Sequence, residues 1–285
     1  KLRLSYGQVG NARVGSYWRQ QYSFESSANR LYYIGEKVQS GLKPTNTLRN
    51  ENLTWETKTS ANIGLDLGFF NDKVNVVIDA YKDVTKDLIL AVDIPTHSGY
   101  GTQYRNLGQT TNKGVELTAN WYAVETKDFN LSLGFNISFN RNKIGGLNAD
   151  QFSDVAWGIE SMFLRRNGHP IGTLYGYVED GFYDNEAEVR ADPYYRDATP
   201  SKVKSMVGQV KYKNLDDDPV IDDRDKTIIG DTNPDYQYGI TSTLNWKKWT
   251  FSFFLQGTQG NDILNVNLKQ FDVAVGSGNM PYFVF

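Results

Sequence analysis

No cysteine occurs in the 285 residues, and histidine is limited to His97 and His169. Disulfide frameworks, thiol chemistry and zinc-finger spacings are excluded, and a histidine-centred metal site has almost nothing to be built from. Net charge is equally scarce. The 30 Lys and Arg against 33 Asp and Glu leave −3, with no basic run, so no nucleic-acid partner is expected. A mean hydropathy of −0.52 and the lack of any apolar stretch of about 18 residues exclude a transmembrane helix. A membrane barrel stays open, because its strands are apolar on one face only. Helical periodicity is nearly missing as well, with residues 185–191 the one place where a turn or two could form. The chain starts at Lys1 without a charged-then-apolar leader and enters a strand-like pattern at once, as expected of a piece of a longer protein.

Alternation with period two is what fills the sequence. Ile63, Leu65, Leu67 and Phe69 alternate with Asn62, Gly64, Asp66 and Gly68. The pattern returns from Val74 to Asp83, from Val115 to Trp121, from Leu131 to Phe139, from Tyr236 to Trp246 and from Trp249 to Leu255, with a shorter run of Leu2, Leu4 and Tyr6. Seven antiparallel strands are therefore expected. Strands of soluble sheets usually hold about 5–6 residues, whereas a tilted strand crossing a bilayer needs about 9–11, with one face toward lipid. Several runs here have the longer reach. Inside a sandwich core Asp66, Glu116, Asn120 and Asn136 would each need a buried partner, at about 1–3 kcal/mol if unpaired. In a water-filled lumen they need none.

Connections alternate in length. Residues 69–73, 124–128 and 246–249 make tight turns, while 10–56, 91–112 and 143–235 are long, so short turns fall on one rim and long loops on the other. In bacterial outer-membrane barrels the short rim is periplasmic and the long rim extracellular. Phe69, Phe70, Trp121, Tyr122, Phe129, Trp246 and Trp249 gather beside the short turns, where an interfacial aromatic girdle belongs. Seven strands cannot close a wide barrel, since about eight are the minimum even for a barrel filled by side chains. Further strands are expected before Lys1 and after Phe285, with residues 281–285 read as loop because of Pro281.

Ordered blocks of sequence resemble the SusC/RagA family of TonB-dependent transporters. They are Asn52-Leu53-Thr54-Trp55-Glu56, residues 61–74 with Gly64-Leu65-Asp66-Leu67-Gly68-Phe69-Phe70-Asn71-Asp72-Lys73, and residues 80–89 from Ala80-Tyr81-Lys82 to Leu88-Ile89. Asn106-Leu107-Gly108, Asn112-Lys113-Gly114-Val115-Glu116, Ser138-Phe139-Asn140-Arg141-Asn142-Lys143-Ile144, Tyr175-Gly176-Tyr177 with Asp180-Gly181, and Tyr238-Gly239 continue the match in order. The resemblance implies an all-β fold, an antiparallel transmembrane β-barrel of about 22 strands closed by a plug, of which residues 1–285 are the C-terminal part and the plug is absent. It implies residence in the outer membrane of a Bacteroidetes-type cell as a multi-pass barrel in the lipid bilayer. It also implies TonB-dependent active import of oligosaccharides or oligopeptides, with a SusD-like surface lipoprotein as lid and TonB engaging an N-terminal part outside this chain. The residues leave two alternatives open: a passive porin, which shares every strand feature, and a soluble glycan-binding β-sandwich, whose apolar faces would pack on each other. No arrangement of residues argues for an enzyme.

One window has the spacing of a metal loop. Between Asn214 and Asp225, oxygen side chains fall at Asn214, Asp216, Asp218, Asp222 and Asp225, with the Val220 carbonyl at the seventh position, as in calcium loops. Calcium is the one cofactor this pattern points to. Pro219 stands where such loops need glycine, and Arg224 and Lys226 could neutralise the carboxylates without an ion. His97 and Tyr100 in the loop 96–104, and Trp157, Tyr175, Tyr177, Phe182 and Tyr183 in the longest connection, are aromatic candidates for contacting a ligand. The second group could equally be the small core that holds that connection in shape.

Overall fold

A computed structural model describes residues 1–11, 24–34, 37–44, 46–155, 159–216 and 218–265. In chain order the strands are β1 (Leu2–Asn11), β2 (Phe24–Ile34), β3 (Lys37–Pro44), β4 (Thr47–Leu48), β5 (Glu56–Phe69), β6 (Val74–Lys86), β7 (Ile89–Asp93), β8 (Thr102–Asn106), β9 (Gln109–Glu125) and β10 (Phe129–Gly145). They continue as β11 (Gln151–Val155), β12 (Ile159–Arg165), β13 (Thr173–Tyr177), β14 (Glu179–Phe182), β15 (Val210–Tyr212), β16 (Lys226–Asp231), β17 (Tyr236–Trp246) and β18 (Trp249–Gln259). Two short helices, α1 (Glu186–Ala191) and α2 (Pro200–Met206), lie between β14 and β15. Two compact units result, one of Lys1–Asn148 with Gly239–Leu255, the other of Ala149–Tyr238 with Gln256–Phe285.

The main sheet has the order β1-β5-β6-β9-β10-β17-β18. These are the seven strands that the alternation marks, all but β17 longer than the alternating stretch because polar residues go on pairing toward the long connections. Register turns the alternation into rows. Leu2, Leu65, Ile78, Leu117 and Ile137 stand side by side across five strands. One residue along, Arg3, Gly64, Asp79, Glu116 and Ser138 form the matching row, which the pleat turns to the opposite face.

Among the described residues no second layer covers the greasy rows within this unit: Leu4 is 71% exposed, Ile63 50% and Phe253 59%. An apolar surface of this extent, running across seven paired strands, is the mark of a surface meant for lipid or another apolar partner. A sandwich core would have buried it. The aromatic residues beside the short turns are likewise exposed, Trp249 and Phe70 most of all. Phe70, Asn71 and Asp72 all take positive φ in the β5–β6 turn, a conformation that lets the chain reverse within a few residues.

On the other face small residues leave room for large polar ones. A side chain at Gly64 would meet the Asp79 carboxylate at 2.5 Å and the Arg3 guanidinium at 2.7 Å, and one at Gly114 would meet the Tyr81 phenol at 2.6 Å and the Phe139 carbonyl at 2.5 Å. The Tyr81 ring lies over Gly114 and supplies the packing that glycine lacks.

Above the sheet, β7 and β8 form a hairpin that β4 joins in parallel, with a single turn, Thr96–Ser98, between its strands. His97 therefore sits in a turn. In the second unit β11-β12-β13-β16 make a four-stranded sheet and β14 pairs with β15. Asn185 caps α1 by accepting from the Glu188 N–H at 3.0 Å, and Thr199 caps α2 just before Pro200. Tyr183, Val189, Val203 and Met206 close one small core, while Met162 and Leu174 close another. Tyr183, 3% exposed, is thus core, whereas Phe182 stays exposed. Trp157 and residues 281–285 lie outside the described residues.

Candidate functional site

Three features of the structure bring polar side chains together. The first lies on the wet face of the main sheet. Arg3 on β1 donates from Nε to Asp66 Oδ1 on β5 at 2.9 Å and from Nη2 to Asp79 Oδ2 on β6 at 2.9 Å. Asp79 stands directly opposite Glu116, so the guanidinium offsets a like-charge pair that would otherwise weaken the sheet. Lys58 Nζ reaches Asp83 Oδ2 at 2.7 Å, and the Tyr81 hydroxyl donates to Asn140 Oδ1 at 3.2 Å. Tyr81, Asp83 and Asn140, with Asn62 and Asn112, line a polar depression. Amides, hydroxyls and paired ions in this number can exchange hydrogen bonds with a polar solute or chain without offering a nucleophile or an acid–base pair.

The second feature is the acidic window of the second unit. Asp216, Asp218 and Asp222 converge on Arg224: Nη1 lies 3.4 Å from Asp216, Nη2 lies 2.9 Å from Asp222, and Nη2 also pairs with Asp218. The guanidinium proton is held well above its ordinary affinity, first by the hydrogen bond to Asp222 and then by the charges of Asp218 and Asp222. Asp222 is lowered in turn by Arg224. Asn214 does not point to a shared centre; its amide donates to the Asp218 carbonyl. The Val220 N–H donates to Asp218 Oδ1 at 2.7 Å. Asp225 is fully buried, and its two oxygens accept from the Leu215 N–H at 2.7 Å and the Asp222 N–H at 2.8 Å. Lys226 pairs with Asp223 at 2.7 Å.

A cation thus already occupies the middle of this loop, and it is a side chain. Among the described residues no group of three or more acidic or imidazole side chains is placed to hold a metal ion. Asp217 lies outside the described residues.

The third feature is a recess of about 290 Å³ lined by Asp180, Glu188, Asp192, Lys211, Tyr212 and Pro219. Lys211 Nζ stands 3.6 Å from both Asp180 and Glu188, while Asp192 accepts from the buried Tyr183 hydroxyl. Burial, and then that hydrogen bond, push the Tyr183 phenol far above its ordinary range, so it stays protonated and structural. The spacing of residues in sequence marks the second feature but not the first or third. Arg3, Asp66 and Asp79 belong to three strands, and Lys211 on β15 meets Asp180 of β14 and Glu188 of α1.

Comparison with known proteins follows from this geometry. Residues 1–262 match the family described as TonB dependent receptor-like, beta-barrel. The chain is 31% identical over 277 residues to TonB-dependent receptor P26 of Formosa agariphila, and 30% identical over 264 residues to TonB-dependent receptor SusC of Bacteroides thetaiotaomicron. These alignments cover 94% and 92% of this chain but 26% and 25% of the relatives, so the chain spans about a quarter of their length. In fold it is similar to a structure of the RagAB peptide transporter, at a TM-score of 0.68 and 23% identity, covering 93% of this chain and 27% of that one. The main sheet, open at β1 and β18, is accordingly a fragment of a larger antiparallel barrel. The chain belongs to the TonB-dependent receptor β-barrel family, whose members are outer-membrane transporters and receptors and not enzymes, and within it is SusC-like.

Proposed function

We propose that the protein carrying this chain actively imports oligosaccharides or oligopeptides across the outer membrane, with energy delivered through TonB and a SusD-like lipoprotein closing over the long connections. One observation carries the barrel in this reading, and the family match supports its coupling to TonB. The seven strands expose a continuous apolar face and, on the other side, present a paired polar face with room for a solute or a plug. The folded second unit in the longest connection adds a structured surface of the kind a lid could rest on. SusC as a named relative and RagAB as a structural neighbour support a two-component importer.

The test separates this from a passive porin. Uptake of labelled oligosaccharide and oligopeptide pools by cells expressing the whole protein is expected to stop on adding a protonophore and on deleting its TonB-engaging segment. Uptake that persists through both treatments would make the protein a porin. Affinity capture of the whole protein is expected to retain a surface lipoprotein, and the bound solutes of that partner identify the substrate.

Residues 214–225 are best read as a loop closed by Arg224, with calcium as a competitor for the same carboxylates of Asp216, Asp218 and Asp222. Hydrogen exchange across 214–225 is expected to be unchanged at millimolar calcium. Calcium-dependent protection there would reassign the carboxylates to an ion.

A further inference from the structure

On the wet face of the main sheet, register assembles a patch that no single strand contains. Asn62 on β5 stands opposite Tyr81 on β6, Tyr81 opposite Gly114 on β9, and Gly114 opposite Asn140 on β10. Two residues nearer the long connections, Asp83 stands opposite Asn112. Asn62, Tyr81, Asp83, Asn112 and Asn140 line a shallow depression of about 420 Å³, toward the lower end of the range of about 300–1,000 Å³ that small-molecule sites occupy. The Tyr81 ring that covers the bare backbone of Gly114 also borders this space, and Tyr81 is only half-buried.

The chemistry of the lining selects its ligand. Asp83 is the one carboxylate in it, and Lys58 already holds that carboxylate at 2.7 Å, so a charged ligand group would have to break an ion pair. Glu116, exposed two residues beyond Gly114 on the same face, adds a charge that repels anions. Three carboxamides remain, each able both to donate and to accept, as a sugar hydroxyl also does. An aromatic ring beside them offers an apolar face for the C–H side of a pyranose. A peptide is served less well. It joins a sheet most firmly through a free edge, and β5, β6, β9 and β10 are each paired on both sides.

We propose that this depression binds a neutral pyranose unit of an oligosaccharide, stacked on Tyr81 and hydrogen-bonded through its hydroxyls to Asn62, Asn112 and Asn140. The site rests on the import reading above and narrows its substrate to neutral glycans. Asn62 precedes Leu65 on the side of β5 that comes from the long connection 10–56, so a glycan admitted past the connections meets this wall before the middle of the barrel.

The whole protein, in lauryldimethylamine oxide micelles whose headgroup carries no sugar, is titrated by isothermal calorimetry. The probes are neutral hexasaccharides from cellulose, mannan and starch, the sulfated form of each, and an uncharged hexapeptide. At least one neutral hexasaccharide is expected to bind, and its sulfated form to bind more weakly. Asn62→Ala with Asn112→Ala is expected to weaken that sugar about 25-fold, at about fivefold for each amide removed, with the melting temperature unchanged. Tyr81→Phe keeps the ring and should weaken it no more than about fivefold, whereas Tyr81→Leu, which still covers Gly114 but loses the aromatic face, should weaken it further. Equal affinity of the alanine variant and the unaltered protein would overturn the site, as would failure of every neutral hexasaccharide to bind. A hexapeptide bound as tightly as the best sugar, and weakened alike by the alanine variant, would overturn it in favour of peptides. Equilibrium binding needs neither TonB nor an energised cell, so the two readings fail separately. A sugar bound through Asn62 and Asn112, in a protein whose uptake survives the protonophore, refutes active import alone. Protonophore-sensitive uptake with unchanged affinity in the alanine variant refutes this site alone.

Discussion

Leu65→Arg is expected to destabilise the membrane-embedded barrel by about 2–4 kcal/mol, the effect of a lipid-facing arginine near the bilayer midplane. Leu65 stands in the row Leu2–Leu65–Ile78–Leu117–Ile137, level with the point of β9 midway between Lys113 and the interfacial Trp121. Leu133→Arg is expected to cost less, about 0–1 kcal/mol, because Leu133 pairs with Trp121 at the interfacial end of the same face. Periodicity alone ranks the two leucines together; register separates them. It also changes the choice of control. From sequence Asp66→Arg is the natural harmless swap on the wet face, but Asp66 accepts from Arg3 at 2.9 Å, and a second arginine there would meet the first. Ser138→Arg is the better control, since Ser138 stands opposite Glu116. Urea unfolding of the whole protein in short-chain phosphatidylcholine vesicles measures all three. Equal losses for Leu65→Arg and Ser138→Arg would mean that lipid does not lie against the greasy face.

Asp225→Ala is expected to unfold residues 214–225 while leaving the main sheet intact. Its carboxylate is fully buried and is the acceptor for two backbone N–H groups, from Leu215 and Asp222. A hydrogen bond to a charged acceptor contributes about 1.5–3 kcal/mol, so losing both of these part-buried bonds costs about 3–6 kcal/mol locally. That exceeds what exposed pairs such as Arg224 with Asp222 can restore, since solvent-exposed ion pairs contribute about 0–1 kcal/mol. Limited proteolysis of the whole protein should show a new cut within 214–225, and Asp225→Asn, which keeps one acceptor oxygen, should be cut more slowly. Unchanged proteolysis of the alanine variant would show that the surrounding unit, not this carboxylate, holds the loop.

The seven long strands were legible because each writes its two environments into consecutive residues. Val115, Leu117, Ala119 and Trp121 announce a face without any knowledge of neighbours. Asn185 at the head of residues 186–191 could be read in the same way, as a cap followed by a turn or two of helix. Segment length set the limit. One core of the second unit is assembled from Tyr183, just after β14, Val189 of α1, and Val203 and Met206 of α2, helices shorter than eight residues. No period can show in pieces that short, and α2 with Val203 and Met206 passed unnoticed. The acidic window was visible as a cluster, yet its chemistry depended on Arg224, whose reach to Asp216, Asp218 and Asp222 is a matter of loop shape.

Which side chains share a face was determined by the sequence alone, because a pleated strand sends neighbours to opposite sides whatever lies beside it. Which side chains stand next to one another was decided only by the tertiary structure. Arg3 meets Asp66 and Asp79, and Lys113 stands between Lys82 and Arg141, across gaps of about 30 to 75 residues in the chain. Their alignment is set by turn geometry and strand register, and the bulge at Leu131 and Ser132 shifts the pairing of β9 with β10 by a residue. A slip of one residue in any of these would turn a strand's apolar set to the wrong face and break every row.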